Sequence, residues 1–95
     1  MADVDELIER ADEAFAADDF AAASAGWEQA YNTDEVQGDP ELSRDVAWNI
    51  GLSEALQQNV ERSRWYFSAS QYDRSYFQSK GVEAVYDVIM ASPES

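Results

Sequence analysis

The sequence predicts an all-α fold of stacked antiparallel helix hairpins, with about five helices and no strand. Three observations carry this. Apolar residues recur at steps of three and four along most of the 95 residues, the period of one helix face. Residues that favour helix starts stand just ahead of those stripes. Residues 11–70 also repeat at an offset of 40: Ala11 matches Gly51, Phe20 matches Val60, Ala23 matches Ser63, Trp27 matches Phe67 and Ala30 matches Ser70. Small residues recur where two helices would cross closely, and large ones where a gap needs filling. One hairpin cannot bury its apolar face alone, so such a repeat implies units stacked side by side.

The first helix opens at Asp3, followed by Glu6 in capping-box spacing. Val4, Leu7, Ile8, Ala11, Ala14 and Phe15 form its stripe. Asp18-Asp19 interrupts that stripe and serves as turn and N-cap. Phe20, Ala23, Trp27, Ala30 and Tyr31 carry the second helix. From Asn32 to Pro40 the chain is polar, with Gly38 and Pro40, and reads as a loop. Asp39-Pro40 places proline at the first position of a third helix, continued by Leu42, Val46, Ile50 and Ala55 or Leu56. Gln57-Gln58-Asn59 makes the next turn, and Val60, Ser63, Phe67 and Ser70 lie on the fourth helix. Residues 73–78 either extend that helix or link it to a fifth, carried by Val82, Val85, Tyr86, Val88 and Ile89. Ser92-Pro93 closes the structure. The whole chain is read as one domain: repeat one about 4–33, an acidic loop 33–40, repeat two about 41–73 and a capping helix about 76–91.

Composition narrows the function. Twenty acids against six bases give a net charge of −14. Residues 1–45 hold −12 of it and residues 46–95 only −2. An anionic face repels nucleic acid and anionic lipid and attracts basic partners over a Debye length of about 8 Å. Solubility or adaptation to a salty cytoplasm would favour the same face. There is no Cys and no His, hence no disulfide, thiolate or imidazole chemistry. The acidic N-terminus and the lack of a long apolar run give no signal peptide or membrane span, so a cytoplasmic protein is expected. The acid pairs Asp18-Asp19 and Asp34-Glu35 lie in turns, unsuited to a general-acid role. The segment Asn32–Gly38 lacks the acids of a calcium loop. No enzyme, metal or cofactor is expected.

The matched positions resemble the tetratricopeptide repeat, a pair of helices spanning 34 residues. Ala11, Phe20, Ala23, Trp27 and Ala30 fit that pattern well; Gly51, Val60, Ser63, Phe67 and Ser70 fit it more loosely. The first copy has roughly six extra residues in the 32–40 loop, whereas Val85 falls 34 residues after Gly51. The resemblance implies a groove lined by the first helix of each pair, used to bind protein or peptide. Carried over by position, the groove residues are Asp5, Ile8, Glu9, Asp12, Phe15, Asp45, Trp48, Asn49, Leu52 and Leu56. Val82, Glu83 and Tyr86 would continue the surface on the fifth helix. Burying a Trp of about 200 Å² at about 25 cal/mol/Å² gives at most about 5 kcal/mol, which makes Trp48 the expected hot spot. Trp48, Ile8 and Phe15 would equally serve as core. Asn49 stands where carboxylate-clamping members keep asparagine. Ile8 and Asp12 replace the Lys and Asn of that clamp, which argues against it.

These features suggest a small adaptor or chaperone holding a basic, apolar segment of a protein partner. The acidity also suits a decoy that imitates DNA phosphates and inhibits a DNA-binding protein. A self-association module is the third reading: Trp65, Tyr66, Tyr72, Tyr76 and Phe77 exceed what the repeat requires, and Arg62, Arg64 and Arg74 sit among them. They form a candidate second interface, suited to a homodimer.

Overall fold

A computed structural model of the chain describes residues 3–90. Seven helices follow one another: α1 Val4–Ala16, α2 Phe20–Tyr31, α3 Asp34–Gln37, α4 Pro40–Leu56, α5 Val60–Ser70, α6 Arg74–Ser79 and α7 Glu83–Ile89. The fold is all-α, and no strand occurs among the described residues. Helix α1 packs on α2, α2 on α4, and α4 on α5, while α7 lies against both α4 and α5.

The two hairpin turns are built alike, 40 residues apart. Asp18 and Gln58 both take left-handed backbone angles, φ 63° and 65°. Asp19 and Asn59 follow with φ/ψ of −92°/76° and −91°/76°. The Asp19 N–H donates to Ala14 O at 2.8 Å, and the Asn59 N–H donates to Glu54 O at 2.9 Å. These closures satisfy carbonyls left open at the ends of α1 and α4. The serines that loosen the second copy are buried without an unmet hydroxyl. Ser63 Oγ donates to Gly51 O at 2.7 Å, and Ser70 Oγ donates to Phe67 O at 2.6 Å.

Two core clusters share α4. Val46 and Ile50 join Val4, Ala11, Ala23, Trp27, Ala30 and Val36 in the first. Trp48 joins Phe67, Phe77 and Ile89 in the second. Between the pairs runs a polar seam. Ser24 Oγ and Gln57 Nε2 each donate to Glu54 at 2.8 Å, and Arg62 Nε donates to the other oxygen of the same carboxylate. Arg62 also pairs with Glu28, which accepts from the Tyr66 hydroxyl. Ser53 Oγ donates to Phe20 O at 2.7 Å.

The count of seven, against about five expected, has two local causes. Within the expected 32–40 loop, Thr33 accepts from the Val36 N–H, and Val36 is driven into the first core, which closes the single turn of α3. Further on, one helix over about 76–91 is expected. Instead Asp73 caps α6, Gly81 at φ 75° breaks the chain, and α7 restarts at Glu83. Residue 91 lies outside the described residues, as do Ser92 and Pro93.

Two expected outcomes test this packing. A Cβ on Gly51 would stand 2.6–2.9 Å from three ring atoms of Phe67, a ring held between Trp48 and Phe77. Gly51→Ala should therefore lower stability by about 1–2 kcal/mol: overpacking by about 1–3 kcal/mol outweighs a helix-propensity gain of at most about 1 kcal/mol. Gly26→Ala, whose Cβ would meet Ala11 Cβ at 3.1 Å, should be near neutral. Urea midpoints of the two variants check the difference. In the seam, Arg62→Ala should cost about 1–3 kcal/mol, less than a fully buried pair because Arg62 is half exposed. Arg10→Ala removes only the exposed Glu6 pair and should cost under about 0.5 kcal/mol in the same measurement.

Candidate functional site

A cleft of about 270 Å³ opens between α1 and α4, lined by Asp12, Phe15, Trp27, Asn49 and Leu52. The capped starts of the helices fix its walls. Asp3 accepts from the Glu6 N–H at 2.8 Å and Asp39 from the Leu42 N–H at 3.2 Å, which sets the phase of α1 and α4. The i, i+3 spacing then places Asp12 with Phe15, and Asn49 with Leu52, on one face of each helix. Phe15 is held edge-on by Phe20 at 5.2 Å and against Trp27 at 5.6 Å. The result is an apolar wall and floor with one carboxylate and one amide at the edge. Ligand sites for small molecules usually occupy about 300–1,000 Å³; this cleft suits a side chain better than a cofactor.

Four of the ten expected groove residues, Asp12, Phe15, Asn49 and Leu52, line this cleft. Asp5 and Glu9 are exposed on α1, two turns and one turn before Asp12 and on its side of the helix, so the three carboxylates form a row. Ile8 is half-buried and packs on the first core. Leu56 is exposed at the end of α4. Asp45 is exposed and accepts from the Tyr72 hydroxyl at 2.6 Å.

Trp48 requires correction: it is 7% exposed and cannot be the hot spot of an open groove. Tyr76, Phe77 and Phe67 enclose it at centroid distances of 5.3, 5.6 and 6.1 Å, because α6 folds over the face that a groove would use. Val82 and Tyr86 pack on the same core, and Glu83 pairs with Arg74 at 2.8 Å, so α7 does not extend the groove through them.

Of the second set, only Trp65 is largely exposed, at 60%. Phe77 is fully buried. Tyr66 lies between the pairs against Tyr31, with its hydroxyl on Glu28. Tyr72 and Tyr76 stack at 3.7 Å and 9°. Arg44 lies 5.6 Å over the Tyr72 ring, and Lys80 lies 5.4 Å over Tyr76. These two tyrosines thus belong to a cation–aromatic ladder rather than to a bare patch.

Two features escaped the sequence reading. Trp27 floors the cleft, although its repeat position marks it as packing alone. Glu54 sits on the core-facing stripe Val46–Ile50–Glu54, a carboxylate where the four-residue step calls for an apolar residue. That step, with Arg62 eight residues on, was the available signal. The buried contact of Ser24 with the Glu54 carboxylate belongs to the seam, where Glu54 also holds Arg62. Among the described residues no three acids converge on a metal-binding arrangement, and no helix is long and apolar enough to cross a membrane. No family model, curated protein or solved structure is found to match the chain.

The Tyr72 phenol is pushed up to about 12, first by donating its hydrogen bond to Asp45 and then by burial and the Asp45 charge. Ionisation destroys that bond. Its contribution to stability is therefore complete below pH 10.0, the ordinary tyrosine value, and is lost between there and about pH 12. In an ultraviolet pH titration of the folded protein, Asp45→Asn should move one tyrosine back towards the ordinary range. An unchanged titration curve would contradict the contact.

Proposed function

We propose that this chain is a small protein-binding module of the tetratricopeptide-repeat type, an adaptor or chaperone for a basic and apolar segment of a protein partner. The observation that carries the reading is the cleft between α1 and α4, where apolar walls meet Asp12 below the exposed row of Asp5 and Glu9. A lysine or arginine side chain suits it: the aliphatic stem rests on Phe15, Trp27 and Leu52, and the cationic head meets Asp12. Asn49 offers both a donor and an acceptor to a peptide backbone. The carboxylate row raises the encounter rate and selects basic partners more than it adds affinity. No catalytic step is assigned to it.

The exposed carboxylate row also supports the second reading, an acidic mimic of DNA phosphates. That reading calls for inhibition of a DNA-binding protein that collapses as salt rises. The cleft calls instead for binding that survives moderate salt through its apolar contacts.

Capture from a native lysate, read by mass spectrometry, separates the two. Asp12→Lys and Asn49→Arg should each deplete a captured partner at least about tenfold, the loss of roughly 1.4 kcal/mol, with helicity unchanged. Equal capture by wild type and both variants would remove the cleft from consideration.

A further inference from the structure

A second surface, separate from the α1–α4 cleft, lies along the α5–α7 edge. Every large apolar residue exposed among the described residues belongs to the second half of the chain: Leu56, Val60, Trp65 and Val88. Two hollows accompany them. One, about 410 Å³, is lined by Glu61, Arg64, Trp65 and Ser68 on α5. The other, about 230 Å³ and almost wholly apolar, lies between Ala55 at the end of α4 and the Val85–Val88 side of α7. They meet at Arg64, which lines the first and donates from Nε to Ile89 O, in the wall of the second, at 3.0 Å. Trp65 is set before any encounter, since its ring rests edge-on against Tyr66 at 4.9 Å.

We propose that a second copy of this chain docks on the α5–α7 edge, giving a two-fold dimer centred on Trp65. Charge decides the occupant. Residues 1–45 carry −12 and residues 46–95 only −2. The molecule measures 43 × 28 × 25 Å. Its longest helix has 17 residues, about 26 Å long at 1.5 Å per residue. The 43 Å dimension is therefore the direction of stacking, with α1 towards one end and α5–α7 towards the other. Joining two copies at α5–α7 keeps the acidic halves apart by several Debye lengths of about 8 Å. Any joint through α1 would press them together. A basic foreign partner, by contrast, would be drawn to the acidic end and away from this edge.

A two-fold axis beside Trp65 sets the same surface of each copy, with Glu61 and Ser68 around the ring, against itself, as an isologous contact requires. An end face of 28 × 25 Å comes close to the roughly 800 Å² per partner of a standard interface.

Sedimentation equilibrium of the full chain, from about 1 to 200 µM to span the affinities such an area supports, tests this. Wild type should pass from monomer to dimer. Trp65→Glu and Val88→Lys should each raise the dissociation constant at least tenfold, with circular dichroism confirming intact helices. Ala25→Glu, on the exposed side of α2, and Asp12→Lys in the cleft should leave the dimer unchanged. A monomer at every concentration, a dimer indifferent to both edge variants, or a dimer broken by Ala25→Glu would overturn the proposal. Each of those results leaves the lysate test of the cleft intact.

Discussion

The buried carboxylate of Glu54 fixes how the two helix pairs meet, and the other features of the molecule are placed relative to it. A carboxylate removed from water is tolerated only where donors surround it. Ser24 reaches it from α2, Gln57 from the end of its own helix and Arg62 from α5. Any slip of α4 along α2 would bury the same charge without Ser24, at a penalty no gain in apolar contact offsets. The faces that meet also bring Ala23, Trp27 and Ala30 of α2 into one core with Val46 and Ile50 of α4. The seam adds a polar requirement to that apolar contact. The cleft inherits it, since Phe15 and Trp27 come from one pair and Asn49 and Leu52 from the other.

The three tryptophans show how one repeat yields three environments. Trp27 and Phe67 hold matched positions and both fill the gap between the helices of their own pair. The helix before each then differs: α1 presents Ala11, whereas α4 presents Gly51, and a Cβ there would strike Phe67. Trp48 matches Ile8 of the first pair. Ile8 is half-buried against the first core, while Trp48 is sealed by Tyr76 and Phe77 of α6. Trp65 matches Ala25 and faces outward in both settings. Position within the pair sets direction, and position within the stack sets burial.

This distinction explains what the sequence disclosed. The four main helices, their turns and the crossings at Ala11 and Gly51 were legible because they depend on local spacing and caps: Asp3, Asp19 and Asp39 all accept the N–H bonds expected of them. Asn59 makes the same turn without that bond; its amide leans towards Glu54 at 3.4 Å. The single turn of α3 was not legible, because one apolar residue, Val36, has no period. The division at Gly81 was hidden for the opposite reason, since Val82 through Ile89 keep a helical spacing that runs straight past the break. Asp12, Phe15, Asn49 and Leu52 came from the resemblance, carried over by position; spacing alone pairs only Asp12 with Phe15 and Asn49 with Leu52. That α6 folds back over Trp48 depends on aromatic contacts between residues nearly thirty apart, and no local pattern encodes them.

The second pair meets α7 through a contact that echoes the seam. Arg64 occupies the place in α5 that Ser24 occupies in α2, and each reaches towards the following element: Ser24 to Glu54 of α4, Arg64 to the Ile89 carbonyl of α7. The joint is thus repeated in outline, with a backbone oxygen in place of a carboxylate. Helix α7 has seven residues where α4 has seventeen. It closes over Phe77 through Tyr86 and places its own Ile89 in the second core. Apolar surface stays exposed at that edge, at Trp65 and Val88, while most of the net negative charge belongs to residues 1–45. Such a separation of charge from apolar area gives the molecule a direction, with distinct surfaces available to distinct kinds of contact.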